Sequence, residues 1–153
     1  MKNRRLYQLA ALARRDTRFS SATQMFAVSV TATEMRFRPF WHRLVEYMYV
    51  LTLILLGKDA GPISVGVSQI SIRHIVSLEN TNQLQSLLYA MSARKNLAIC
   101  CKIIEAMDAK SLNDVRVSYN GESTLYYKNT LKQNFDLLQE MDARRVSLSN
   151  FPC

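Results

Sequence analysis

Helix-breaking residues are scarce in this chain: four glycines and three prolines punctuate 153 residues. Tight turns and β-corners depend on such residues, whereas helices exclude them from their interiors. The intervening stretches are rich in Leu, Ala, Met, Arg and Gln, which favour helices over a Gly/Pro-punctuated β-fold. An all-α domain with little or no β-structure is therefore expected. The length suits one compact domain with a single core, spanning residues 1–153.

Helical spacing recurs along the chain. Leu6, Leu9, Ala10 and Ala13 predict a first helix over about 3–15. Ser20, Ser21 and Thr23 offer N-caps for a second, running from Met25 through Glu34. That segment is apolar on nearly every face, which predicts a central position. Pro39 ends it or starts a third helix, striped by Phe40, Leu44, Tyr47, Met48, Leu51 and Leu55 and terminated at Gly57. The apolar run from Tyr47 to Leu56 is too short to span a bilayer and is expected to be a buried core helix.

The clearest loop is 58–62. Beyond it, Ile63, Val65, Val67, Ile70 and Ile72 nearly alternate with small and polar residues, as a strand would. Further helices are expected from an Asn80–Gln83 capping pair to about Ala93, and from Asn96 to Met107. A short one should follow Ser111–Asp114 towards Tyr119. Tyr127, Leu131, Phe135, Leu138 and Met141 stripe a last helix, with fraying expected after Arg145. No internal repeat, low-complexity segment or linker is present.

The formal charge of +8 favours polyanionic partners: nucleic acid, anionic lipid or the anionic polymers of a bacterial wall. Much of the excess lies in Lys2, Arg4, Arg5, Arg14, Arg15 and Arg18. Three cysteines, Cys100, Cys101 and Cys153, imply no disulfide framework, and neighbouring positions on a helix point about 100° apart. The N-terminus has a basic head, but its apolar stretch is broken by Gln8 and Arg14, too weak for a signal peptide. An extracytoplasmic substrate would then require specialised export, as in a phage, secretion-machine or bacterial-effector context, or a longer parent protein.

Phosphate-binding glycine loops, the HExxH metal motif and the GxSxG nucleophile motif are all missing. His42 and His74 lie in unrelated segments and read as surface or satisfied residues rather than bases. What remains is an ordered set: Glu34 on an apolar helix, Ser64-Val-Gly-Val-Ser-Gln69-Ile70 after a loop, Asn96 near a helix start, then Tyr119-Asn120-Gly121. Glycoside cleavage needs a carboxyl group still protonated near neutral pH. Val28, Val30, Ala32 and Phe37 place Glu34 in a stretch whose burial would raise its pKa. The competing reading pairs Glu34 with Arg36 or Arg38 at the surface.

This order, over residues 22–135, resembles the lysozyme-like superfamily, in particular soluble lytic transglycosylases and goose-type lysozymes. The resemblance implies a helical domain with a cleft and Glu34 as catalytic acid. Gln69 would line the sugar cleft, and Ser64 and Gly66 would admit glycan close to the backbone. Tyr119 would hydrogen-bond near the acid, and Asn120 would support the cleft wall. It also implies that the Gln motif is a turn leading into a helix. Met35, Ser68 and Gly121-Glu122 depart from the usual residues at their places. A penicillin-binding-protein glycosyltransferase domain fits less well, since Met35 and the single Gln69 break its motifs.

The implied activity is cleavage of the MurNAc–GlcNAc β-1,4 bond of peptidoglycan in the periplasm or cell wall, without cofactor or metal. Asp59 is the candidate accessory carboxylate for a goose-type muramidase. A lytic transglycosylase needs a single Glu and yields a 1,6-anhydro product, and that is the preferred expectation. Partners would be glycan strands and an inhibitor or immunity protein, with no nucleic acid and no transmembrane segment. Other classes consistent with the residues are a non-catalytic glycan- or protein-binding module, a basic helical nucleic-acid binder and a peripheral membrane protein.

Overall fold

The computed structural model describes residues 2–115 and 124–149, with side chains from 4 to 144 within that span. It is predominantly helical, as the scarcity of breakers predicts. The labelled elements are α1 (Lys2–Ala13), α2 (Ser21–Phe37), α3 (Phe40–Leu55), β1 (Ser64–Val65), β2 (Ile70–Ser71), α4 (Ile72–Glu79), α5 (Gln83–Met91), α6 (Ala93–Ala106) and α7 (Leu125–Ser149). A helical turn at 112–115 follows a capping box in which Ser111 and Asp114 bond each other's backbone N–H, as their spacing predicts.

Helix α2 is the centre. It packs against α1, α6 and α7, and Phe26 to Val30 are buried. Small residues alternate with larger ones here, which lets neighbours approach closely. Ser29 and Thr33 return their hydroxyls to carbonyls one turn back, Met25 and Ser29, so burial leaves no cost of unpaired donors. Helix α7 lies along α2, with Phe26 stacked on Phe135 at 5.2 Å and Asn134 bonded to Thr33. The predicted stripe on α7 faces inward, with Tyr127, Leu131 and Leu138 buried. The helix continues past Arg145 to Ser149. Arg14, just after α1, pairs with Asp142 of α7 and closes this layer.

Local signals fix most boundaries. Ser20 caps α2 through the Thr23 N–H. Arg38 precedes proline and is extended, which stops α2 and turns the chain into α3 at Pro39. At the other end of α3, Gly57 adopts φ +68, with Gly57 N–H donating to Ile54 and Lys58 N–H to Leu53, a Schellman stop.

Four expectations need correction. Asn80 does not begin a helix: it ends α4 in the left-handed conformation, and Asn82 with Gln85 forms the capping box of α5. The expected cap falls two residues early because Asn80 and Asn82 precede the same apolar run. Helix α6 opens at Ala93 under a Ser92 cap, one turn before Asn96. The alternating segment 63–72 is neither a full strand nor only a turn: β1 and β2 form a two-residue antiparallel hairpin, Ser64 opposite Ser71 and Val65 opposite Ile70, running directly into α4. Lastly, α3 is not a buried core helix. Only Arg43 and Val50 are buried along it, while Phe40, Leu44, Met48 and Leu55 of the expected core stripe face outward. A helix apolar all round gives periodicity no way to choose its inner face.

Cys100 and Cys101 are buried on α6 and not joined in a disulfide, and burial pushes the Cys101 thiol far up, away from reactivity. Cys153 lies outside the described residues. His42 and His74 are exposed, the latter bonded to Ser71.

Candidate active site

Glu34 sits in the last turn of α2, 8% exposed. The surface reading of this residue is wrong: Arg38 pairs with Glu46, and Arg36 lies over the ring of Tyr126. Glu34 instead accepts a 2.8 Å hydrogen bond from the Tyr127 hydroxyl, across 93 positions of sequence. Burial raises its pKa above the ordinary glutamate value, and the neighbouring charge of Glu46 acts in the same direction. The Tyr127 bond and the Arg38 charge oppose that rise, and burial prevails. A carboxyl whose burial favours the protonated form, with a hydroxyl fixing its orientation, is suited to deliver a proton to a leaving group.

Tyr127 makes a contact of the kind that the family resemblance implies for Tyr119. Tyr119 and Asn120 lie outside the described residues. The available signal was that Tyr127 heads the apolar stripe of α7, since a buried tyrosine hydroxyl needs a partner. Thr124 accepts from the Tyr127 N–H and begins the helix there. Phe37, one turn after Glu34, packs its ring against both Tyr126 and Tyr127, at 5.3 and 5.4 Å between centroids. These rings leave Tyr127 little freedom to leave the carboxyl.

The Gln motif reaches the same region through Glu46. Residues 66–69 form the loop of the hairpin. Gly66 has φ +88, and Gln69 is held at φ +51, a conformation that disfavours side chains with a Cβ. The Gln69 amide donates to Glu46 Oε2 at 3.0 Å and to the Gly66 carbonyl at 3.1 Å. Its own carbonyl oxygen is buried with no protein partner among the described residues. Glu46 thus lies between Gln69 and Arg38, and its charge is felt at Glu34. Glu46 is one of the acidic residues nearest the motifs, but which face of α3 turns inward is invisible in an apolar helix.

Behind the loop, Asn96 anchors it. The Asn96 carbonyl accepts the Ser68 N–H at 2.7 Å, and Ser68 shares a 2.7 Å hydroxyl contact with Thr31 of α2. Ser68, Thr31 and Asn96 are all fully buried. A Cβ on Gly66 would fall on the Asn96 amide and 2.8 Å from the Ala90 carbonyl, so the close approach requires glycine. Asn96→Ala should strand the Ser68 N–H and cost about 2 kcal/mol in denaturant unfolding. A loss under about 0.5 kcal/mol would mean that the anchor is dispensable.

Ser64 pairs with Ser71 at the open end of the hairpin and is half-buried. Asp59 belongs to a different cluster. It accepts from the Gly61 N–H, Gln83 and Arg73, which hold its pKa below the usual carboxylate value, and its side chain is 57% exposed. Its bonds knit the 58–62 loop to α4 and α5. The carboxylate whose charge is felt at Glu34 is that of Glu46. Among the described residues no cluster of three or more His, Cys, Asp or Glu is placed to hold a metal ion, and no described helix is long and apolar enough to cross a membrane.

No protein-family model, curated protein or solved structure matches this chain. The chemistry of Glu34 and its neighbours is thus the firmest ground for a functional reading.

Tyr127→Phe isolates one part of that chemistry. Its hydroxyl favours the charged carboxyl, so its loss should raise the Glu34 pKa further and leave a buried acceptor unpaired. The expected cost is about 1–3 kcal/mol of stability. A carboxyl resonance for Glu34, followed by NMR through a pH titration, should move to higher pH in the variant. A shift to lower pH would contradict the assigned role of the hydroxyl.

Proposed function

We propose that this chain cleaves the MurNAc–GlcNAc β-1,4 bond of peptidoglycan as a lytic transglycosylase, with Glu34 as its acid and base. The observation that carries the reading is the buried Glu34 carboxyl, raised in pKa and held by Tyr127. The ordered motifs add the expectation of a glycan substrate. In the reaction, Glu34 gives its proton to the glycosidic oxygen as the bond from the muramic acid C1 breaks. The resulting Glu34 carboxylate then takes the proton of the muramic acid C6 hydroxyl, whose oxygen bonds to C1. A 1,6-anhydro end forms, the glucosamine end leaves as an alcohol, and Glu34 is protonated again. No water and no cofactor enters.

Gln69, with a buried carbonyl oxygen lacking a protein partner, suits a sugar hydroxyl or amide. Gly66 and Ser64 shape the backbone beside it. Activity of this kind belongs in the periplasm or wall, and a lysis-causing enzyme implies an inhibitor or immunity protein as partner.

One observation favours a second reading, hydrolysis. Glu46 is a second carboxylate near Glu34, as a water-activating base must be. Its engagement with Arg38 and Gln69 weighs against that task and supports a positioning role. Product analysis decides between them. Purified peptidoglycan digested by the protein should give anhydromuramic ends by mass spectrometry. Reducing muramic ends would overturn the transglycosylase and install the hydrolase. Asp59→Asn should change the cleavage rate by less than about threefold, because that carboxylate serves the 58–62 loop. A loss of a hundredfold would return Asp59 to the mechanism.

A further inference from the structure

The outer face of α3 is left uncovered by the rest of the molecule. Trp41, Leu44, Val45, Met48, Leu55 and Leu56 all point outward, with Trp41 72% and Leu55 76% exposed. The spacing 41, 45, 48, 52, 55 makes this one continuous stripe along a helix of about 24 Å. His42 and Thr52 are the exposed polar residues of α3, and Glu46, its single acidic residue, is turned in to Arg38 and Gln69. Exposed apolar surface of this extent on one element marks an interaction site.

Charge identifies the occupant. In sequence, exposed Arg36 precedes the stripe and exposed Lys58 follows it, on a chain of net charge +8, while Arg38 is paired with Glu46. The acid beside Lys58, Asp59, is paired with Arg73. Apolar side chains including an exposed tryptophan, bracketed by cations and carrying no outward acid, are complementary to an anionic lipid surface. A neutral protein groove would not call for cations at both ends. The helix is too short and the span too interrupted to cross a bilayer, so it fits lying along the headgroup boundary. From these features we infer that α3 is an interfacial helix that docks the protein on an anionic phospholipid surface. The inference does not depend on the catalytic assignment of Glu34.

Trp41 is the sole tryptophan and reports directly on this face. Titrating the full chain with vesicles of phosphatidylcholine and phosphatidylglycerol should shift its emission to the blue, and the protein should sediment with them. Vesicles of phosphatidylcholine alone should bind at least about tenfold more weakly. Val45→Glu combined with Leu55→Glu keeps the reporter and should weaken binding to anionic vesicles by at least about tenfold, with helix content unchanged by circular dichroism. If that variant does not fold, quenching of wild-type Trp41 by lipids brominated on the acyl chain gives the same information. Three results would overturn the docking: no blue shift with anionic vesicles, no quenching by brominated chains, or a concentration-dependent dimer in which Trp41 is already blue-shifted without lipid. The last would assign the face to a second copy of this chain.

Discussion

Glu34→Gln should slow the release of soluble fragments from peptidoglycan by roughly 10²–10⁴-fold, the usual contribution of a positioned acid–base group. The amide keeps the shape of the carboxyl and still accepts from Tyr127, so the fold should survive. Stability should rise at neutral pH, and the sign follows from linkage. Burial raises the folded-state pKa of Glu34 above its unfolded value. The native state therefore holds this proton more tightly, and the resulting stability is full below the ordinary glutamate range near 4.3 and is lost as pH climbs through the raised pKa. At neutral pH the wild type carries the cost of a desolvated carboxyl, which glutamine removes. Thermal melts of the two proteins should therefore diverge above the raised pKa, with the variant melting higher, and differ least in acid. A variant that loses activity and also melts lower at neutral pH would mean that Glu34 is a structural anion.

Gly66→Ala should be the most destabilising single change around the site, at about 3 kcal/mol. Two effects combine. The backbone at φ +88 disfavours any Cβ, and the added methyl would press on the Asn96 amide and the Ala90 carbonyl. The Ala90 carbonyl is backbone, and it also receives the Tyr47 hydroxyl of α3, so it cannot simply move aside. The Asn96 side chain holds the Ser68 N–H, so relief there breaks the anchor of the hairpin loop. Gln69 would lose its bond to the Gly66 carbonyl and its place beside Glu46. Urea unfolding should show the loss as a lower midpoint at constant slope. A midpoint within about 0.5 kcal/mol of wild type would show that the loop accommodates a side chain and that glycine is incidental there.

The contrast between these residues shows what the sequence made legible. Helix ends were readable where one residue carries the signal, as with Ser20, Pro39 and Gly57. So was the inward stripe of α7, because its outer positions are polar. The face of α3 was not, since apolar residues surround that helix and only tertiary packing selects Arg43 and Val50 for the interior. Within the candidate site, the burial of Glu34 could be expected from its apolar neighbours. Its partner could not, because no local pattern couples Glu34 to a tyrosine 93 positions away. The approach of Glu46 to Gln69 was hidden for a similar reason: it depends on the turn of the chain at Pro39 and on the inner face of α3. The left-handed Gln69 carries no sequence mark at all, as only the hairpin geometry demands it.

The central claim is that this protein cuts peptidoglycan with Glu34. The most direct measurement is a zymogram in which the purified protein, renatured in a gel containing peptidoglycan, is run beside Glu34→Gln. A cleared band at the wild-type position and none at the variant is the predicted result. An uncleared wild-type lane, with refolding verified in solution, would contradict it, as would equal clearing by both proteins.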